Sequence, residues 1–305
     1  MLGGTGTASG AVSPRICCLI VSIAALSLLP IGMNDAVWSR DLVHVSPKLD
    51  TELEPTATKH AALGCDESRF RIILDVGHTS EAQGAISARN VPEFDFNLQL
   101  ARKIEENLKS EGFVRAVLKV TDGKARPSLF KRVAAANKSG ADLFLSIHHD
   151  SVPDSFLQDW EFEGQKSHFN DRFSGYSLFV SRRNPEFKTS LAFARLVGRQ
   201  LKAEGQHYAT QYTERFMGRY RHQLLDKEVG VYRYDQLIVL RLTRMPAVLL
   251  EAGSIINRDE EAQMKTPERQ SLITTAVTAA VKDFCQTLSS RGKLAKRDLS
   301  HPASN

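Results

Sequence analysis

Cysteine is scarce in this chain: there are four in 305 residues, and none forms a CxxC pair. That excludes zinc held by cysteine clusters. No HExxH occurs, which excludes the helix-borne zinc site of the zincins. Zinc-finger spacing is missing, and so is the interleaving of aromatic and basic residues typical of RNA-binding sheets. Nucleic acid is therefore not expected as a partner. No internal repeat is found, so a solenoid or propeller is not expected. Long apolar runs are equally few, and Ile16–Met33 is the one that stands out.

The rest of the composition is that of a globular protein, 42% hydrophobic and 25% charged. A net charge of +5 with a pI near 9.0 suits either plain solubility or an anionic polymer, such as an acidic glycan or cell wall. Met1–Arg15 is rich in Gly, Ser and Thr and carries one charge, at Arg15. Followed by the apolar core Ile16–Met33, it reads as an export signal. Residues 1–36 are thus expected to be a signal peptide or, if uncleaved, a membrane anchor, the only expected membrane contact. Residues 37–66 read as a linker, 67–289 as one catalytic domain and 290–305 as a basic disordered tail. Export to the periplasm or cell envelope follows. In an oxidising compartment Cys65 and Cys285 either pair as a disulfide joining the two ends of the domain or stay as free thiols. A monomer is expected.

Strands and helices alternate along the domain. Arg71–Asp75 is a continuous apolar run of the kind found in strands covered on both faces. Pro92 and Glu93 open a helix with Phe94, Leu98, Ala101, Ile104 and Leu108 at helical spacing. Further strands are expected at Phe113–Thr121, Asp142–Ile147, Tyr176–Ser181 and Ala247–Leu250, with a short one at Leu237–Leu240. Helices are expected at Ser128–Ser139, Thr189–Glu204 and Pro267–Leu288. His148–Gly175 reads as a long polar loop and Gly205–Arg233 as a polar stretch rich in Arg and Tyr. The pattern is α/β: a single domain whose twisted, mostly parallel or mixed sheet is flanked by helices.

Three apolar runs end in groups suited to chemistry. RIILDVGHTS ends at His78, LFLSIHHD at His148 and His149, and AVLLEAG at Glu251. Glu93, at the start of the first helix, can point back to the same edge. Two His and one carboxylate make a common catalytic zinc site, placed here at the carboxyl edge of the strands. A further carboxylate can carry protons beside it. Singly, each residue has a bland reading: a His after a strand caps or hydrogen-bonds, and Glu93 suits a helix start. A Glu directly after AVLL needs a proton, metal or cation if buried.

The segments LDVGHTSEAQGA, SLFKRVAAAN, DLFLSIHHDS and MPAVLLEAGSIIN, with Glu93 after the first, resemble in order the zinc-dependent N-acetylmuramoyl-L-alanine amidases of the bacterial cell wall (amidase type 3). The resemblance runs from about Phe70 to Leu288. It implies Zn2+ on His78, Glu93 and His148, with Glu251 as the catalytic acid and base. It implies peptidoglycan as substrate, cut between N-acetylmuramic acid and L-alanine. Some relatives carry an inserted segment that blocks the site until a protein activator binds, and Ser151–Ser174 is placed to do so; an ordinary rim loop is the alternative. The chain departs from the family pattern at Val76, Thr79 and Ser80, which stand for a proline and two glycines, and at His149–Asp150. His149 is either a competing ligand or part of the groove. Arg215, Arg219, Arg221 and Arg233, with Tyr212, Tyr220 and Tyr232, either grip the substrate or form solvated surface. A hydrolase of the same fold acting on another amide, or a non-catalytic peptidoglycan-binding module, are the alternatives in function.

Overall fold

The computed structural model describes residues 64–300, and of residues 291–300 the backbone alone. The signal or anchor, most of the linker and the last residues of the tail lie outside the described residues. Among those described, no helix is long and apolar enough to cross a membrane.

β1 (Ile72–Val76) is buried along its whole length. α1 (Glu93–Ser110) returns the chain, and Gly112, at φ +95°, turns it toward β2 (Ala116–Lys119). α2 (Ala125–Ser139) stops at Gly140, whose left-handed conformation ends the helix. β3 (Leu143–Asp150) then enters the centre of the sheet. β4 (Gln158–Phe162) and β5 (Gln165–Phe169) form a separate hairpin. β6 (Ser177–Val180), α3 (Phe187–Ala203), β7 (Gln223–Asp226), β8 (Val231–Arg233) and α4 (Ile238–Leu242) lead to β9 (Ala247–Ser254). α5 (Arg258–Met264) and α6 (Pro267–Ser300) complete the described chain.

The main sheet has 7 strands in the order β2-β1-β3-β9-β6-β8-β7. β2, β1, β3 and β9 are parallel, whereas β6 runs against β9 and β7 against β8, so the sheet is mixed. Alternate residues feed two cores, because successive strand side chains face opposite ways. Ile72, Leu74 and Leu145 pack with residues of α1, α3 and α6. Ile73, Phe144 and Leu249 pack on the other face with α2 and α4. The result is a three-layer α/β/α domain. Cys65 and Cys285 are joined by a disulfide across 220 residues, Cα to Cα 5.3 Å, which ties the start of the domain to α6.

Four expectations are corrected. His148–Gly175 is not a featureless loop but carries the β4–β5 hairpin. Its two-residue turn uses Glu163 at φ 52° and Gly164 at φ 76°, the left-handed pair that suits a tight hairpin. Asp159, Glu161, Lys166 and His168 share its outer face, which makes the segment read as polar. Leu237–Leu240 is helical rather than extended: the Asn184 amide donates to the Leu240 carbonyl at 2.7 Å, satisfying an end that a strand would have paired in a ladder. Gly205–Arg233 contains β7 and β8. The closing helix, expected to stop at Leu288, continues to Ser300 where a disordered tail was expected; its Lys, Arg and Leu residues are good helix formers.

Candidate metal centre

The carboxyl edge of β1 is shaped by the turn that follows it. The Gly77 N–H donates to the Ile147 carbonyl at 2.9 Å, continuing the ladder for one residue. His78 then adopts φ 65°, an unusual backbone for a residue with a side chain. Its carbonyl accepts from the Arg132 guanidinium, which is fully buried and also pairs with Asp75 at 3.4 Å. Ser146 donates to the same Asp75 carboxylate at 2.8 Å. Burial pushes Asp75 up to about 6, against the pull of Arg132. Thr79 is also fully buried. Its hydroxyl donates to the Gly123 carbonyl at 2.7 Å and accepts from the Ala82 N–H at 2.9 Å. Those bonds hold the turn that glycine would leave flexible.

Glu93 is the first residue of α1 and lies between two imidazoles. One carboxylate oxygen, Oε2, is 2.9 Å from His78 Nε2, and the other, Oε1, is 3.0 Å from His148 Nδ1. Asn97, one helical turn on, donates to Oε1 at 3.0 Å, and the Ala85 N–H donates to Oε2 at 3.2 Å. Burial would raise the Glu93 pKa, but the hydrogen bonds of His148 and His78 hold it well below the ordinary carboxylate range. His148 is itself pushed down by burial, so a neutral imidazole is favoured. Two glycines make room: a Cβ on Gly77 would lie 2.5 Å from the His148 ring, and one on Gly84 2.5 Å from Glu93 Oε2.

His78, Glu93 and His148 each offer one donor atom, and these atoms lie within 4.8 Å of one another. Two neutral-capable imidazoles and an ionised carboxylate are the donors of a catalytic zinc site, and the cluster fits such an ion. Glu251 stands beside it, inside β9 rather than after the strand. Its Oε2 is buried and has no hydrogen-bond partner. Burial, followed by the charges of Asp150 and Glu93, raises its pKa well above the ordinary value. The four residues picked out in the sequence thus meet at one edge.

His149 does not join the donors. It faces α1, with Nδ1 2.8 Å from Asn97 Oδ1, and burial pushes it down to about 3. Tyr212 and Tyr232 are buried in the core rather than on a solvated surface. Tyr212 donates to Asp150 at 2.6 Å, and Tyr232 donates to the Ala209 carbonyl. Arg233 is paired with Asp235, while Arg215, Arg219, Arg221 and Tyr220 remain exposed. The hairpin stands at the rim. Trp160 Nε1 and Ser167 Oγ both donate to the Ala88 carbonyl, at 2.8 and 2.9 Å. Asn97 and Arg132 were legible only as polar residues on otherwise apolar helix faces.

A family model described as N-acetylmuramoyl-L-alanine amidase matches residues 72–283. The amidase AmiA of Escherichia coli K12 is 24% identical over 292 residues, spanning 87% of this chain and 90% of that protein. AmiC from another Escherichia coli strain is 25% identical over 249 residues, spanning 72% of this chain but 55% of AmiC. Among solved structures, the amidase Ami1 of Mycobacterium smegmatis superposes with a TM-score of 0.56 at 20% identity, covering 73% of this chain and 99% of that one.

Proposed function

Because the chain belongs to the N-acetylmuramoyl-L-alanine amidase family, we propose that it is a zinc enzyme that hydrolyses the amide between N-acetylmuramic acid and the L-alanine of the stem peptide in peptidoglycan. The observation that carries this reading is the convergence of His78, Glu93 and His148 beside the unpartnered carboxylate oxygen of Glu251. Zinc held by the three donors would supply Lewis-acid polarisation of the scissile carbonyl. Glu251 Oε2 takes a proton from the attacking water and returns it to the leaving alanine nitrogen. Burial suits Glu251 to the first step, since a carboxylate with a raised pKa accepts a proton more readily than an ordinary one.

The compartment is part of the same proposal. The Cys65–Cys285 bridge favours an oxidising setting, in line with export directed by residues 1–36 and a linker over 37–66. Mass spectrometry of the mature N-terminus decides between a cleaved signal and an anchor.

The test is digestion of purified peptidoglycan with and without chelator. Stem peptides beginning with L-alanine are the expected product, and the chelator should suppress them. Cleaved glycan strands or cut peptide crosslinks would refute the proposal.

A further inference from the structure

Asn97 is fully buried and makes three hydrogen bonds at the heart of the site. Its Nδ2 lies 3.3 Å from the Gly77 carbonyl and 3.0 Å from Glu93 Oε1. Both are acceptors, so they use both amide protons. Its Oδ1 is therefore left as an acceptor, and His149 Nδ1, 2.8 Å away, must carry the proton of that contact. The His149 ring is enclosed, 3% exposed, and rests against the Phe96 ring at 5.5 Å between centroids. Strand alternation sends His148 toward the metal donors and its neighbour toward α1.

We propose that His149 is a positioning residue: by donating to Asn97 it fixes the orientation of that amide, which fixes Glu93, and so sets the affinity of the centre for zinc. The inference rests on the zinc reading above. Without a donor on Oδ1 that oxygen is a buried acceptor left unsatisfied, and the amide loses the third of the bonds that hold it against the Gly77 carbonyl and Glu93. Partners of this kind, one bond removed from the metal, commonly govern how well a ligand is presented.

The experiment measures zinc affinity of the full chain by competition with a chromophoric chelator, with thermal unfolding measured on each variant. His149→Leu keeps bulk and removes the donor. His149→Asn places an amide N–H close to where Nδ1 stood, and His149→Ala is a second donor-free variant should the leucine fail to fold. The donor-free variants should bind zinc on the order of 10- to 100-fold more weakly, and His149→Asn should recover most of that loss. In an Asn97→Ala background, His149→Leu should add little. Wild-type affinity in a folded donor-free variant would overturn the proposal. So would His149→Asn as weak as His149→Leu, because the effect would then be one of packing. A wild-type chain that binds no zinc overturns the parent reading as well, whereas equal binding by wild type and His149→Leu overturns this inference alone.

Discussion

His148 and Glu251 stand directly opposite each other on the adjacent parallel strands β3 and β9. The ladder therefore aims Glu251 at the same space as the ligand histidine, yet its Oε2 touches no partner. Glu251→Gln should keep zinc at stoichiometry and lower turnover by about 10²- to 10⁴-fold. Metal analysis alongside single-substrate kinetics checks both halves. Near-normal turnover would remove Glu251 from the chemistry.

The pH profile should carry the mark of the same residue. A base must be ionised to act, and burial holds Glu251 well above the ordinary carboxylate value of 4.5. Activity should therefore rise with pH along a limb centred clearly above that value, read from kcat/KM against pH. The effect on stability has the opposite sense. A raised folded pKa contributes stability that is full at low pH and lost as pH rises through it, so Glu251→Gln should gain stability over the parent as pH increases.

Removal of metal gives a third outcome. His78→Ala should lose both zinc and activity, whereas Glu251→Gln should lose activity alone. Zinc titration of the two variants separates ligand from proton carrier. A His78→Ala chain that still binds zinc as the parent does would move His78 out of the donor set.

Arg132 links stability to the site. Arg132→Met leaves Asp75 buried without its cation and removes the donor to the His78 carbonyl. Breaking such a pair costs about 3–5 kcal/mol. Urea unfolding should show that loss, and Asp75→Asn in the same chain should restore part of it. Zinc affinity should stay low in the double variant, because the His78 carbonyl still lacks its donor.

The disulfide gives a stability prediction. Cys285→Ser should destabilise the domain by roughly 2–5 kcal/mol, the usual loss when a native bridge is removed. Thermal unfolding reads the loss, and non-reducing peptide mapping should recover Cys65 and Cys285 in one fragment.

Much of the site was legible because an apolar strand must end somewhere. His78 lies just past the end of buried β1, His148 lies within the last residues of β3, and Glu93 opens the helix between them. The mixed sheet was open in the sequence, since β6 has the same apolar look whichever way it runs. The hairpin was hidden by its polar outer face and by a Glu163–Gly164 turn that lacks the usual Asn or Asp. Tyr212 and Tyr232, in a polar stretch rich in arginine, read as either substrate contacts or solvated surface, yet they are core residues whose hydroxyls find acceptors in Asp150 and the Ala209 carbonyl. The work of Arg132, Asn97 and His149 depends on contacts between residues distant in sequence, which a local pattern does not encode.

The reversed direction of β6 has a consequence for how the segment between β3 and β6 can change. Asp150 pairs with Ser254 and Ser177 with Glu251, so the chain leaves and re-enters the sheet on one edge. Residues 151–176 form an excursion that never has to cross the sheet. Lengthening it costs only a slowly growing closure entropy, about 0.6 kcal/mol per doubling of length. The rim of the site can therefore be enlarged, trimmed or exchanged while the donors stay in register.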